Sequence, residues 1–392
     1  MAAANDDTDF VHIGPGTLAG RYLRRFWTPV HPGRELEAGQ AKRIKILGEH
    51  FTLYRGESGT PYVVADRCAH RSTQLSVGWV QGEDIRCFYH GWKFDGAGQC
   101  TEMPAEKPGI ERTVKIAAYP TREYLGMIFA YLGEGEVPEF PRYPVLEDEE
   151  AGVLWADMDP VPIPHGYFQR IENATDEVHI MFAHGDLFKS LGINELPEVR
   201  VTETEYGVLQ EGIRTNGTVK TAHFHMPTMN FIQIPPGPGE VGWALFMTWR
   251  VAVDDESYRS YSIRRVKVNH EVKSLLTSDP DFRARWSPLP KSLEHAVDYA
   301  KKIVAGEMKM SDIDQNDRRL LVAVQDNVAI LAQGAIVDRS VERLGRSDIG
   351  TVLVRRIWQR ELRALADGQP LKQWRHPDGI LVPKTGLPEA AE

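Results

Sequence analysis

The chain has 392 residues, 42% of them apolar and 26% charged, an ordinary globular composition that allows two or three domains with sizeable cores. Its net charge of −9 argues against a nucleic-acid partner, whose phosphates need a basic footprint, and against an anionic membrane surface. Three cysteines are too few for a disulfide scaffold, no apolar run reaches the roughly 18–20 residues of a membrane span, and the acidic residues 1–10 lack the pattern of a secretion signal, so a soluble cytoplasmic protein is expected.

The pattern predicts a helix over residues 18–27. Strand signals follow at 43–47 and 50–54, with Gly48 and Glu49 in the turn, then at 61–65, 85–94, 117–119 and 127–132. Short strands separated by Gly-rich turns, such as 96–98, predict a small all-β unit. Pro138, Pro141 and Pro144 and the acidic stretch 147–150 mark a boundary. Beyond it, residues 165–184 show helical periodicity. Longer strands are predicted at 206–214, 221–234, 241–253 and 260–266, with a loop over 235–239 between two of them. The last third reads as mostly helical. A helix over 350–366, capped by Ser347 and closed by Gly368, would bury Val354, Ile357, Trp358, Leu362 and Leu365 on one face. The C-terminal tail, rich in Pro, Gly and Lys, is expected to wrap the surface. The division is a leading segment 1–40 packed on the larger domain, an all-β domain 41–150, and an α+β domain 151–392.

Two groups of residues carry metal-binding chemistry. The first is Cys68-Ala-His70, followed after 16 residues by Cys87-Phe-Tyr-His90. Two Cys and two His make a four-ligand N/S site. Zinc fingers pair Cys with Cys and His with His along the chain, whereas here each short motif supplies one of each. In a Rieske [2Fe–2S] centre two thiolates hold one iron and two imidazoles the other, which raises the potential far above that of an all-cysteine cluster. Tyr89, Gly91 and Trp92 supply an apolar cover and a turn. Cys100 has no partner and reads as a small buried hydrophobe.

The second group is Asp176-Glu-Val-His179, followed by His184. Histidines five apart stand about 140° apart on an ideal helix, so both reach one metal only if the helix is distorted or ends between them. This is not the i, i+4 pattern of zinc peptidases. Two histidines need one carboxylate to complete a facial triad with open positions on Fe(II). Spacing alone leaves Asp176 and the distant Asp326 both eligible. His223 and His225 alternate on a strand and share a face, which suits a core or a pocket wall. Met226, Met229, Asn230, Phe231 and Phe246 are further candidates for the pocket wall. Arg170, Arg214 and Arg250 are unranked candidates for holding a substrate carboxylate.

Together these motifs resemble those of the Rieske non-heme iron ring-hydroxylating oxygenases. Cys68-Ala-His70-Arg71 and Cys87-Phe-Tyr-His90-Gly91-Trp92 match the cluster signature, and Asp176-x-x-His179-x-x-x-x-His184 is similar to the mononuclear iron motif. The stretches 14–27, 172–184, 325–339 and 344–348 resemble the branch of phthalate dioxygenase and the aryl O-demethylases. The resemblance implies a catalytic domain of the helix-grip kind (Bet v1-like or START-like), an antiparallel sheet curled around a long helix. It implies Asp326 as the third iron ligand. It implies Asp176 as a carboxylate linking an imidazole of a neighbouring subunit's cluster to His179, in a head-to-tail homotrimer. The expected function is the terminal oxygenase of a multicomponent system, using O2 to hydroxylate or O-demethylate a small aromatic compound. N-demethylation, aliphatic hydroxylation and plain electron carriage are the alternatives. No nucleotide-binding glycine motif follows a strand, so electrons are expected from a separate flavin/NAD(P)H reductase, with or without a ferredoxin.

Overall fold

The computed structural model describes residues 9–191, 193–237, 239–375 and 382–385. Most of the C-terminal tail, and Pro238 of the expected 235–239 loop, lie outside the described residues. Helix α1 (Leu18–Leu23) is capped by the Thr17 hydroxyl, which accepts from Gly20 N. It stops short of the expected end, and the Arg24 guanidinium that follows it donates to the carbonyls of Ile13, Gly20 and Leu47. Trp27 already begins strand β1 (Trp27–Pro32).

Two four-stranded sheets form the all-β unit. One has the order β2 (Ala41–Ile46), β3 (Glu49–Arg55), β4 (Pro61–Ala65) and β9 (Ala118–Tyr119); the other runs β5 (Trp79–Gln81), β6 (Asp84–Arg86), β7 (Lys93–Phe94) and β8 (Cys100–Glu102). Residues 85–94 do not form the single strand expected. The chain leaves the ladder at Cys87 and rejoins it at Lys93, and the excursion carries two of the candidate cluster ligands. The β2–β3 turn falls on Leu47 and Gly48, one residue earlier than expected. Both have positive φ (51° and 79°), as a two-residue hairpin turn requires. Strands β10 (Thr121–Tyr124) and β11 (Met127–Tyr131) complete a three-stranded sheet in which β11 pairs with β1. After the short α2 (Pro144–Glu147), β11 and β1 share the main hydrophobic core with the larger domain, while the two four-stranded sheets enclose a separate small core around Tyr54, Ile85 and Phe94.

The larger domain is built on a seven-stranded antiparallel sheet. In sequence its strands are β12 (Val153–Met158), β13 (Glu198–Glu203), β14 (Gly207–Ile213), β15 (Val219–His225), β16 (Met229–Ile234), β17 (Ala244–Asp254) and β18 (Ser257–Val266), and their order across the sheet is β12-β18-β17-β16-β15-β14-β13. The expected strand 221–234 is two strands, broken at Pro227, which has no N–H to give to a ladder. Both edge strands, β12 and β13, escaped the sequence pattern. The residues of β13, Glu-Val-Arg-Val-Thr-Glu, alternate exposed polar and half-buried side chains, which protects an edge but gives little apolar signal.

Three helices lie between β12 and β13: α3 (Tyr167–Ala174), α4 (His179–Ala183) and α5 (Gly185–Ser190). Five follow the sheet: α6 (His270–Ser278), α7 (Pro280–Arg285), α8 (Ala296–Val304), α9 (Arg318–Leu331) and α10 (Ile349–Ala366). Helix α10 packs against β13, β14, α1 and α3, and all five residues of its expected apolar face are buried. Ser347 does not cap it. Ser347 sits in a short turn, and Asp348 is the residue at the helix start. The α+β architecture is thus a small β domain beside a large antiparallel sheet with helices packed on it. Among the described residues, no helix is long and apolar enough to cross a membrane.

Two core histidines give this fold an acid sensitivity. His165 and His223 are fully buried, and burial pushes each imidazole down to about 4. Each stays neutral in the folded chain, while the unfolded chain takes up a proton near pH 6.5. Their contribution is therefore complete above about pH 6.5, is lost as the pH falls toward 4, and levels off below that, at a cost of up to about 3 kcal/mol for each. In chemical denaturation, His223→Gln should lose less stability than the parent between about pH 7 and pH 4.5. Equal losses in the two proteins would exclude His223 as a source of the effect.

Candidate active site

Cys68 and Cys87 open two loops with the same backbone plan. Cys68 N donates to Thr73 O (2.9 Å) and Ser72 N to Cys68 O (3.0 Å); Cys87 N donates to Trp92 O (2.8 Å) and Gly91 N to Cys87 O (3.1 Å). The fourth residue after each cysteine is left-handed, Ser72 at φ 57° and Gly91 at φ 75°. At Gly91 a Cβ would also meet Pro104 Cγ at 3.2 Å, so the turn and the close approach both favour glycine. The loops bring the His70 and His90 rings to 4.4 Å, inclined at 66°. Trp92 lies flat on His70, with ring centroids 4.5 Å apart, and Tyr89 leans on His90 at 3.8 Å.

The cysteines lie inward and the histidines outward. Cys68 and Cys87 are buried in the small core with Cys100, whereas His90 is exposed. Burial pushes the Cys68 thiol up to about 12, and the adjacent Cys87 adds to the effect. The thiolate is the ligand form, so Cys68 becomes anionic only beside a compensating cation. His70 Nδ1 is buried with no hydrogen-bond partner among the described residues. An orphaned imidazole nitrogen beside two buried thiols fits a metal group with mixed N and S ligands. Cys100 points its Sγ at the Glu102 carbonyl (3.5 Å) and stays within the core.

The second group assembles where a helix is interrupted. α3 ends at Ala174, α4 begins at His179 and ends at Ala183, and His184, with φ −115°, stands at the junction with α5. The helix therefore ends between the two histidines, which lets residues five apart face one point. Asp326 comes from the middle of α9. Its Oδ1 lies 3.1 Å from His184 Nε2 and 3.7 Å from His179 Nε2, and ligand atoms of the three side chains all lie within 4.8 Å of one another.

The other ring nitrogens are already committed. His179 Nδ1 is 2.5 Å from the Asp176 carbonyl oxygen, and His184 Nδ1 is 2.8 Å from Gln325 Oε1. Both partners are acceptors, so each Nδ1 donates and each Nε2 keeps its lone pair directed at Asp326 Oδ1. Two lone pairs and a carboxylate oxygen converging on one point fit a divalent cation. Burial is the largest influence on both rings and lowers their pKa; at His179 it prevails, with Asp326 only partly offsetting it, whereas at His184 Asp326 and Gln325 together outweigh it and the pKa is raised. Burial alone would raise the pKa of Asp326. The Arg170 guanidinium and the two imidazoles override it and hold its carboxyl far below the usual carboxylate range.

Asp176, the other eligible carboxylate, serves the turn before α4. Its Oδ1 accepts from Val178 N (2.8 Å) and His179 N (3.2 Å), and its Oδ2 is 3.8 Å from His179 Nδ1. Next to it, Glu177 is buried against Lys220 (2.5 Å) and Arg214 (3.6 Å), which ties the turn to β14 and β15. The structure also sorts the remaining candidates. Arg214 belongs to that ion cluster, and Arg170 binds Asp326 Oδ2 (2.8 Å). Arg250 donates to Ser260 Oγ (2.5 Å). His223 is hydrogen-bonded to Tyr206, on which His225 stacks. Met226, Met229 and Phe231 lie in the main core.

A feature the pattern missed is a buried polar row across the sheet. Asn230, Thr248, Ser262 and Asp157 are neighbours in register, and Asn230 Nδ2 reaches the Ala174 carbonyl beside the candidate metal site (3.5 Å). Each of these residues sits among apolar neighbours in its own strand, so only the register reveals the row. A separate cavity of about 1240 Å³ opens beside Trp27, Phe129, Trp249 and Trp374; the pocket candidates His225, Met226, Met229 and Arg250 also line it, and among the described residues none of the candidate metal ligands does.

Comparison with known proteins agrees with this geometry. Residues 26–124 match the family model of the Rieske [2Fe-2S] domain. The chain is 33% identical to phenoxybenzoate dioxygenase subunit alpha of Ectopseudomonas oleovorans, over 84% of this chain and 86% of that one. It is 28% identical to the 5,5'-dehydrodivanillate O-demethylase oxygenase subunit of Sphingobium sp., over 95% and 83%. Among solved structures, the NdmA QL mutant of Pseudomonas putida CBB5 with theobromine superposes with a TM-score of 0.63 over 88% of this chain and 92% of that one; at 21% identity this bears on the fold alone.

Proposed function

Because the chain belongs to the Rieske ring-hydroxylating oxygenases as an alpha subunit, we propose that it is the terminal oxygenase of a multicomponent system that hydroxylates or O-demethylates an aromatic carboxylate. The observation that carries the reading is the pairing, in one chain, of a Cys/His loop pair with a buried His-His-Asp group. A plain electron carrier would have no use for the second group. In this reading Cys68 and Cys87 hold one iron of the cluster, His70 and His90 the other, and His179, His184 and Asp326 hold Fe(II). When bound, the cluster supplies one-electron transfer and the Fe(II) site supplies O2 activation.

The protein's own contribution is orientation and exclusion of water. The Asp176 carbonyl and Gln325 fix the imidazole tautomers, Glu177 anchors the turn, and the polar row on the sheet offers donors and acceptors beside an otherwise apolar core. The aromatic carboxylate class rests on the names of the two relatives. One of them is a dioxygenase and the other an O-demethylase, so both outcomes belong in the assay.

Electrons would come from a separate flavin/NAD(P)H reductase, with or without a ferredoxin. The homotrimer is supported by apolar side chains left exposed at both centres. Phe88 is 59% and Trp79 49% exposed beside the cluster loops, and Phe182 is 74% exposed on α4. Exposed apolar surface at each centre suits a head-to-tail ring in which one covers the other. The boundaries 1–40, 41–150 and 151–392 are retained as the proposed division.

The test is turnover of a panel of methoxylated and unsubstituted aromatic carboxylates with a surrogate reductase, scored for formaldehyde against diol. Iron and sulfide content and the EPR signal of the reduced cluster are measured alongside. A colourless, zinc-loaded protein would sink the reading. So would a brown protein with cluster iron only and no product from any substrate.

A further inference from the structure

We propose that Arg170 is a positioning residue that holds Asp326 as a one-oxygen donor in the His179–His184–Asp326 group. The inference rests on those three residues being the metal ligands, as read above.

The two oxygens of Asp326 are used differently. Oδ1 faces both imidazole Nε2 atoms and also accepts from Asn173 Nδ2 (3.3 Å), whereas Oδ2 is held by Arg170 Nη1 at 2.8 Å. Arg170 and Asn173 stand three apart on α3, so they share a face, and the same Nη1 also donates to Asn173 Oδ1. One nitrogen thus spends its two protons on the carboxylate and on the Asn173 amide, which itself donates to that carboxylate.

The guanidinium has little freedom to leave. It is mostly buried, at 17% side-chain exposure, and Asp326 at 9%. A second buried guanidinium, Arg250, lies within electrostatic reach of Arg170 and donates to Ser260 Oγ. With Oδ2 engaged in a charge-assisted bond, swinging it toward a metal would break that bond and strand a buried cation. The carboxylate then offers Oδ1 alone, and a coordination position is left for other ligands. Arg170 touches no reacting atom; it acts through Asp326.

The test uses the full chain with its cluster intact and Co(II) in place of Fe(II). Arg170→Met should shift the visible Co(II) spectrum toward the weaker bands of a higher-coordinate ion, as Oδ2 joins Oδ1. Turnover of the iron form should fall about 10- to 100-fold with little change in KM. Arg170→Lys, which keeps the charge, should restore the parent spectrum. A Met variant with the parent Co(II) spectrum would overturn the proposal, as would a Met variant that loses cluster and Co(II) site alike and is not rescued by Lys. If Asp326→Ala itself binds Co(II) as the parent does, the ligand assignment fails; if it loses Co(II) while Arg170→Met is unchanged, only the role of Arg170 fails.

Discussion

Asp326→Ala is expected to stay brown and keep its reduced-cluster EPR signal. It should lose one iron, from about three per chain to about two, and turn over on the order of 10³-fold more slowly, because two imidazoles without a carboxylate hold Fe(II) poorly and the metal carries the oxygen chemistry. The geometry gives the variant a second cost. Asp326 is the ion-pair partner of Arg170 at 2.8 Å, and its removal leaves a guanidinium buried without its counter-charge. Breaking a buried pair from one side costs about 3–5 kcal/mol, so the unfolding midpoint should fall as well. Asp326→Asn separates the two effects. The amide oxygen can still accept from Arg170, so most of the stability should return, while the lost negative charge still weakens the site. Iron content, EPR and chemical denaturation on both variants check the argument. Retention of the third iron in Asp326→Ala, with unchanged turnover, would remove Asp326 from the site.

Much of this candidate site was legible in the sequence because residue types able to bind a metal are few, chemically distinctive and closely spaced. Cys68, His70, Cys87 and His90 stand in two short motifs whose loops form largely from their own backbone bonds. The constraint on His179 and His184 was also legible, since helical geometry demanded a break that the structure supplies at the α4–α5 junction. What spacing could not decide was which carboxylate stands with the two histidines. Asp176 is near in sequence but is taken up by the turn before α4, while Asp326 is brought close by the packing of α9 against α3 and α4. The same limit hid the role of Arg170, which reads as a generic cation until α9 is docked. In the fold, strands with strong apolar runs were found, and the edge β13 was missed because its alternating charged residues, which keep an edge from pairing with other chains, give little apolar signal; the other edge, β12, is largely apolar and its omission has no such reason. The strand expected at 85–94 failed for the opposite reason. Its apolar residues are β-prone, but Gly91 at positive φ and the pairing of Cys87 N with Trp92 O turn the chain out of the ladder.

Asp176→Asn is the second variant with a large expected effect, and it bears on the proposed delivery of electrons between chains. The carboxylate has two unequal oxygens. Oδ1 holds the turn through the Val178 and His179 amides, while Oδ2 makes no short contact with His179 and the side chain keeps 30% exposure. An asparagine with its oxygen in the Oδ1 place keeps the turn, and the His179 ring stays oriented by the backbone carbonyl of residue 176. Only the outward acceptor changes, to an amide N–H2. An imidazole N–H from a neighbouring copy's cluster domain would then meet a donor instead of an acceptor, and the bonded link between the two centres is lost. Iron content, cluster reduction by dithionite and oligomeric mass should therefore match the parent. Product formed in a single turnover from pre-reduced protein should appear about 10²-fold more slowly, in the upper range of effects seen when a residue behind a metal ligand is altered. A parent-like single-turnover rate in a fully loaded trimer would show that Asp176 does no more than shape the turn, and a parent protein that sediments as a monomer while turning over normally would remove the neighbouring copy from the scheme.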